Sequence, residues 1–328
     1  MLSTVVDKFA PVCDYRPRMR IIRGVKNLTE TFPKPVLTIG NFDGVHLGHQ
    51  AILRKVVERA RAINGTSIAF TFEPHPLKVL APERSPKLLN TFHGKMRLFE
   101  AAGIQVVICA SFTRAFAGQD PEAFARDVLH KKIGAREVYV GYDYAFGRGR
   151  EGSIDFLKKM GLAYGFEVGV VEAFEADGVV VSSSLVRDLV SAGSMAEAAR
   201  FLGRHYSIEG VVVPGSHRGH TLGFPTANLR TPNELIPGYG VYAVRAAVDG
   251  QWLKGVASIG VRPTFGGGPV SIEVYLFEFN EDIYGRHLDL SFVARLRGEE
   301  KFPDAESLVR QMYKDAEQAK KVLANLPE

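Results

Sequence analysis

The chain has 328 residues, 46% of them hydrophobic and 23% charged, a globular composition in a chain too long for one ordinary core, so two domains are expected. A formal net charge of +5 and a pI near 9.1 favour anionic ligands such as nucleotides without demanding nucleic acid. No apolar run approaches the roughly 20 residues that span a bilayer, and two cysteines, Cys13 and Cys109, make no disulfide framework and suit a reducing cytoplasm.

Met1–Arg20 lacks the apolar segment of a secretory signal and reads as a short leader. The cluster Arg16, Arg18, Arg20 and Arg23 reads as a solvated basic tail rather than a nucleic-acid patch. From about Lys34 to Val171 short apolar runs alternate with helical patterns. Strands are predicted at Val36–Ile39, Ser67–Phe72, Gln105–Ala110, Glu137–Gly141 and Glu167–Val171, and helices at Gln50–Ile63, Lys95–Ala102, Pro121–Lys131 and Ile154–Tyr164. Such alternation builds a parallel sheet covered on both faces, with ligands at the carboxyl ends of its strands. Helical segments follow at Leu185–Ser191 and Met195–Leu202. After Gly203 the pattern changes to strands, Ser207–Val213, Val241–Val248, Trp252–Ile259, Ser271–Phe277 and His287–Arg295, an antiparallel barrel or sandwich. A last helix over Asp304–Leu326, with Asp304 as N-cap, closes the chain. The expected domains are 1–192 and 193–328.

The run Gly40-Asn41-Phe42-Asp43-Gly44-Val45-His46-Leu47-Gly48-His49 stands where a strand gives way to a helix. Helix N-termini attract phosphate, glycines at Gly40, Gly44 and Gly48 allow close backbone approach, and His46 and His49 would add imidazole donors. Three further groups would share that sheet edge: Phe72-Glu73-Pro74-His75-Pro76, Gly141-Tyr142-Asp143-Tyr144-Ala145-Phe146-Gly147, and the serine run Ser182–Ser184 with Arg187, where hydroxyls cap a helix or donate to phosphate and the guanidinium clamps one. Taken singly, His75 is a rigid loop residue, Asp143 a turn acid and the serines a cap.

In the second region, Gly215-Ser216-His217-Arg218-Gly219-His220-Thr221-Leu222-Gly223-Phe224-Pro225-Thr226-Ala227-Asn228 is a surface loop on the plain reading. Thr226 and Asn228, two apart, would share one side of an extended segment, and their oxygens are hard donors suited to Mg²⁺ with nucleotide phosphates. Glu273, if it faces Thr226, could accept a hydroxyl proton.

Gly40–His49 resembles the nucleotidylyltransferase signature of bacterial bifunctional riboflavin kinase/FAD synthetases. Leu222–Asn228, Gly240-Val241-Tyr242, Gly260–Phe265, Tyr284-Gly285 and Leu296–Glu299 resemble that family's kinase signatures, in the family's order. The resemblance implies an α/β nucleotidylyltransferase domain that uses ATP to convert FMN to FAD, and a small antiparallel β-barrel that phosphorylates riboflavin. It implies that His46 and His49 bind ATP phosphates and stabilise charge. Gly40, Phe42, Asp43, Gly48, His75, Asp143, Ser183, Ser184 and Arg187 would line the adenylyl site. Gly215, Arg218, Gly219, Gly223, Phe224, Pro225 and Arg297, the last in a loop that closes over the flavin, would line the kinase site. Thr226 and Asn228 would hold Mg²⁺-nucleotide, and Glu273 would be the general base. Leu47, Tyr144-Ala145, Ser184 and His220 depart from the family pattern; loss of a cation at Ala145 would weaken nucleotide or flavin binding. The expected partners are riboflavin, FMN and ATP, with no nucleic acid and no membrane. A flavin sensor without turnover is the competing class, against which the base Glu273 argues, because a binder needs none.

Overall fold

The computed structural model describes residues 19–215, 224–261, 270–324 and 326. The chain divides into two compact units, one comprising Met1–Lys87 and Phe92–Ser182, the other Leu88–Thr91 and Ser183–Glu328.

The first unit is built on a parallel sheet of β1 (Arg20–Arg23), β2 (Val36–Ile39), β3 (Ser67–Glu73), β4 (Val106–Ser111), β5 (Glu137–Gly141) and β6 (Glu167–Val171), in spatial order β1-β4-β3-β2-β5-β6. Its inner strands are apolar at successive positions because both faces are covered. Leu37, Ile39, Ile68 and Phe70 share one core with Val128, Leu129 and Leu157, whereas Val36, Ala69 and Val107 share another with Leu53, Val56 and Phe99. Helices α1 (Leu47–Ala62), α2 (Pro76–Leu80), α3 (Phe92–Ala101), α4 (Arg114–Ala117), α5 (Pro121–Ala123, continuing as a π-helix through Ile133) and α6 (Ile154–Tyr164) fill the crossovers. The strand order reverses at β2: β3 and β4 lie to one side, β5 and β6 to the other. The crevice outside the carboxyl ends of β2 and β5 is therefore where such a sheet takes a ligand. The far end of α1 is tied down by Arg59, whose guanidinium donates to both carboxylate oxygens of Glu137 at 2.7 and 3.0 Å, with the Tyr139 hydroxyl donating to the same carboxylate at 2.9 Å.

Arg20 and Arg23 are exposed, as expected, but are not part of a tail. They belong to β1, which pairs in parallel with β4. Arg20 forms an ion pair with Glu30, and the Arg23 guanidinium lies 4.4 Å from the Phe92 ring centroid. An edge strand tolerates such charges. Arg16 and Arg18 lie outside the described residues.

A small hairpin, β7 (Glu175–Ala176) and β8 (Val179–Val180), follows β6. The second unit then opens with helices α7 (Ser183–Ala192) and α8 (Met195–Leu202). Six antiparallel strands close into a barrel in the order β10-β13-β12-β11-β14-β9: β9 (Tyr206–Val213), β10 (Ala227–Arg230), β11 (Gly240–Val248), β12 (Gln251–Val261), β13 (Val270–Leu276) and β14 (His287–Arg297). The sequence pattern misses β10, whose four residues carry neither β-branched nor aromatic side chains; pairing with β9 and β13 makes it a strand. Asp304 caps α9 (Ala305–Leu323) by accepting from the Ser307 N–H at 2.7 Å, and Ala319 and Leu323 pack on Ala243 and Val293 outside the barrel. Helix α7 clusters with this second unit, whereas the composition change falls at Gly193. It packs on α8, its Val190 carbonyl accepts from the Gly238 N–H, and its Ala192 carbonyl accepts from Arg295.

Tyr144, just beyond β5, stacks on Phe146 with centroids 5.5 Å apart. Its hydroxyl is buried without a hydrogen-bond partner among the described residues, and burial pushes its pKa above the ordinary tyrosine value. An unmet buried hydroxyl costs about 1–3 kcal/mol. Tyr144→Phe is therefore expected to stabilise the first unit by about 1 kcal/mol, seen as a raised thermal midpoint; an unchanged or lowered midpoint would show that the hydroxyl is satisfied.

Candidate active sites

In the first unit, Gly40 follows β2 directly and donates its N–H to the Phe70 carbonyl at 3.0 Å. The turn that follows adopts left-handed backbone at Phe42 (φ 53°), Gly44 (φ 84°) and Val45 (φ 41°). For Phe and β-branched Val this costs about 1–3 kcal/mol each. Burial holds it in place: Phe42 and Val45 are 2% and 1% exposed, and the Phe42 ring meets Phe99 edge-on at 5.4 Å and His49 at 5.2 Å.

The chain leaves this turn at His46, which is the N-cap of α1. The His46 Nδ1 accepts from the His49 backbone N–H at 3.4 Å, which assigns the imidazole proton to Nε2 and makes that atom a donor. The two imidazoles stack, with centroids 3.7 Å apart and planes 20° from parallel. Gly48 permits this approach, since a Cβ there would lie 3.2 Å from His46 Nδ1 and Cε1. Asp43 is buried in the same turn. His75 caps α2, its Nδ1 accepting from the Leu77 N–H at 3.2 Å. Asp143 is exposed just beyond β5, on the other side of the switch point from β3, and its carbonyl accepts from Arg150 at 3.3 Å. Ser183, Ser184 and Arg187 stand in the first turns of α7, in the second unit, with Ser184 exposed.

In the second unit, the register sets Asn228 directly opposite Glu273, and Glu273 opposite Ser258. Directly opposed residues share a face of the sheet. Val274 and Ala257 are buried and Ala227 opposes Val274, so these three form the inward set and Asn228, Glu273 and Ser258 face outward. Asn228 is nevertheless only 8% exposed, because the backbone of Gly215 lies against it: a Cβ on Gly215 would fall 2.0 Å from Nδ2. Phe224 anchors the start of this run. It meets Tyr275, two residues beyond Glu273, at 5.0 Å and Tyr313 of α9 at 4.8 Å. Pro225 and Thr226 line a cavity of about 410 Å³ whose other walls include Val212, Val274, Leu276 and Ile283. Val274 and Leu276 alternate with Glu273 along β13, so that carboxylate lies on the other face of the strand from the cavity wall, while Thr226 borders the cavity itself. Arg218, Gly219 and Gly223 lie outside the described residues.

Arg297 corrects one expectation. It is the last residue of β14, not a loop residue, and its guanidinium donates to both oxygens of the Asp315 carboxylate at 2.9–3.1 Å, fastening α9 to the barrel. A pattern search of sequence has no means of finding that partner, because it lies on another element. A second unforeseen group, Glu209, His287 and Asp289, brings its donor atoms within 4.8 Å of one another on β9 and β14. It contains none of the expected metal ligands, and Glu209 already accepts from the Thr91 hydroxyl.

A parallel sheet with paired imidazoles at its switch point and a barrel bearing an amide–carboxylate pair are features suited to handling nucleotides. A family model described as FAD synthetase matches residues 28–185, and one described as riboflavin kinase matches residues 202–323. Bifunctional riboflavin kinase/FMN adenylyltransferases of Escherichia coli K12 and Haemophilus influenzae are 38% and 36% identical to the chain, over 90% and 92% of its length and 96% and 98% of theirs. The chain belongs to the bifunctional riboflavin kinase/FMN adenylyltransferase family. A solved structure from Streptococcus pneumoniae, described as a macrolide-efflux protein, superposes with a TM-score of 0.83 at 28% identity, covering 95% of this chain and all of that one. No helix among the described residues is long and apolar enough to cross a membrane.

Phe224→Ala is expected to destabilise the second unit by about 3–5 kcal/mol, measured by urea titration of the intact chain. A loss under 1 kcal/mol would mean that Tyr275 and Tyr313 hold the run without it.

Proposed function

We propose that the chain phosphorylates riboflavin with ATP and then adenylylates the resulting FMN with a second ATP, giving FAD and pyrophosphate. Two observations support this reading: His46 and His49 stack at the sheet's switch point, and Asn228 opposes Glu273 on the barrel. The reading assigns the residues up to the composition change near Gly193 to adenylyl transfer and the rest to the kinase.

In the kinase step the riboflavin 5′-hydroxyl oxygen attacks the γ-phosphorus of ATP, the bond to the β-phosphate oxygen breaks, and Glu273 takes the hydroxyl proton. Thr226 and Asn228 offer neutral oxygens rather than a carboxylate cage. This suits Mg²⁺, which keeps several waters and takes phosphate oxygens as its remaining ligands. Bound there with the nucleotide, the ion would neutralise charge on the phosphates. The buried Asn228 amide, confined by Gly215, is oriented before the nucleotide arrives.

In the adenylyl step a phosphate oxygen of FMN attacks the α-phosphorus of ATP and pyrophosphate leaves. The N-terminal N–H groups of α1 and the Nε2–H of His46 suit the developing phosphate charge, a task of electrostatic stabilisation and alignment without a covalent intermediate. Ser183, Ser184 and Arg187 supply further phosphate donors in this reading. The scarcity of cysteine supports action in a reducing cytoplasm.

Three substitutions separate the steps. His46→Ala should abolish FAD formation and leave riboflavin phosphorylation intact, whereas Glu273→Gln should do the reverse when FMN is supplied; loss of both activities in either variant would overturn the division of labour. Gly48→Ala, which pushes a methyl against the His46 ring, should lower FAD formation about ten- to a hundredfold. Product chromatography from riboflavin or FMN with ATP and Mg²⁺ reads all three.

A further inference from the structure

One cation in the first unit is spent on nothing the scheme above uses. Lys95, in the first turns of α3, is only 9% exposed. Its Nζ donates to the Asn41 carbonyl at 3.2 Å and lies 3.3 Å from the Thr71 hydroxyl, which itself donates to Asn41 at 3.4 Å. Asn41 is the residue immediately before the strained turn that delivers His46. The groups whose charge acts on this ammonium come from three further elements: Glu73 at the end of β3, Asp43 in the turn, and Cys109 in β4, with Arg23 of β1 acting in turn on Cys109.

A buried ammonium is costly, and an apolar side chain of similar volume would pack α3 on the sheet without that cost. What an apolar side chain cannot do is donate to Asn41 or offset two carboxylates beside a site meant for phosphates. We infer that Lys95 is a positioning residue for adenylyl transfer: its ammonium holds the Asn41 carbonyl, fixes the turn that presents His46, and compensates the charge of Asp43 and Glu73 where ATP must bind. The inference rests on the assignment of adenylyl transfer to the histidine turn. It assigns a role to a side chain outside every signature that carries the family resemblance. Burial lowers the Lys95 pKa from its ordinary value, while Glu73, Cys109 and Asp43 oppose that shift. The charged form is therefore lost at a lower pH than for an exposed lysine, as pH rises.

The test uses the full chain. Lys95→Met should lower kcat for FAD formation from FMN and ATP at least tenfold and raise KM for ATP, while riboflavin phosphorylation by the same preparation stays within twofold. Lys95→Arg, which keeps the charge, should recover a substantial part of kcat. In the unsubstituted protein FAD formation should fall on the alkaline side with a midpoint below the ordinary lysine range, and in Lys95→Arg that limb should move to higher pH. Wild-type kcat in Lys95→Met, or equal loss in both variants with the alkaline limb unmoved, overturns the inference. Should Lys95→Met fail to fold, the alkaline limb and Lys95→Arg decide. If His46→Ala leaves FAD formation intact, the site assignment itself fails and the inference falls with it, a result distinct from Lys95→Met alone being silent.

Discussion

The first unit depends on keeping two side chains in a backbone conformation that L-residues resist. Phe42 and Val45 take positive φ because their side chains are locked into the core against α1 and α3, and the glycine between them completes the reversal. The strain is local and the restraint is tertiary. What the arrangement obtains is direction: the chain enters α1 with His46 as N-cap, its ring fixed by a backbone N–H and stacked on His49. The helix terminus, the imidazoles and the switch point of the sheet then coincide, three features that separately have different causes: hydrogen-bond geometry, side-chain packing and strand order.

The barrel solves the corresponding problem by register. Closure leaves each strand two partners, so β10 cannot slide on β13 without also sliding on β9. A shift of one residue would turn Asn228 and Glu273 into the barrel interior and bring Ala227 and Val274 out. The apolar inward set thus guards the polar outward pair, and Phe224, wedged between Tyr275 and Tyr313, pins the segment that leads into it.

Features set by neighbours in sequence were legible without coordinates. The strand-to-helix turn at Gly40–His49, the Asp304 cap and the alternation from Lys34 to Val171 all follow from short-range patterns. Features set by distant partners were not. β10 is a strand because of what flanks it, and Arg20 and Arg23 belong to a strand because β4 offers an edge. Arg297 looks like a ligand-facing cation until Asp315 is seen beside it. Lys95 opens a helical pattern, and lysine is almost never buried; its enclosure comes from distant partners, the Asn41 carbonyl beyond β2 and Thr71 of β3.

The second unit includes Leu88–Thr91, which the chain makes long before the rest of that unit. The Leu88 N–H donates to Glu234, and the Thr91 hydroxyl to Glu209. During synthesis this tetrapeptide must wait for roughly ninety further residues before Ser183 emerges, about 5–20 s at ribosomal rates. A fragment beginning at Ser183 would never contain it. The barrel half therefore takes two of its hydrogen bonds, at Glu234 and Glu209, from a segment translated long before its strands, so these contacts are the last of the unit to find their partners.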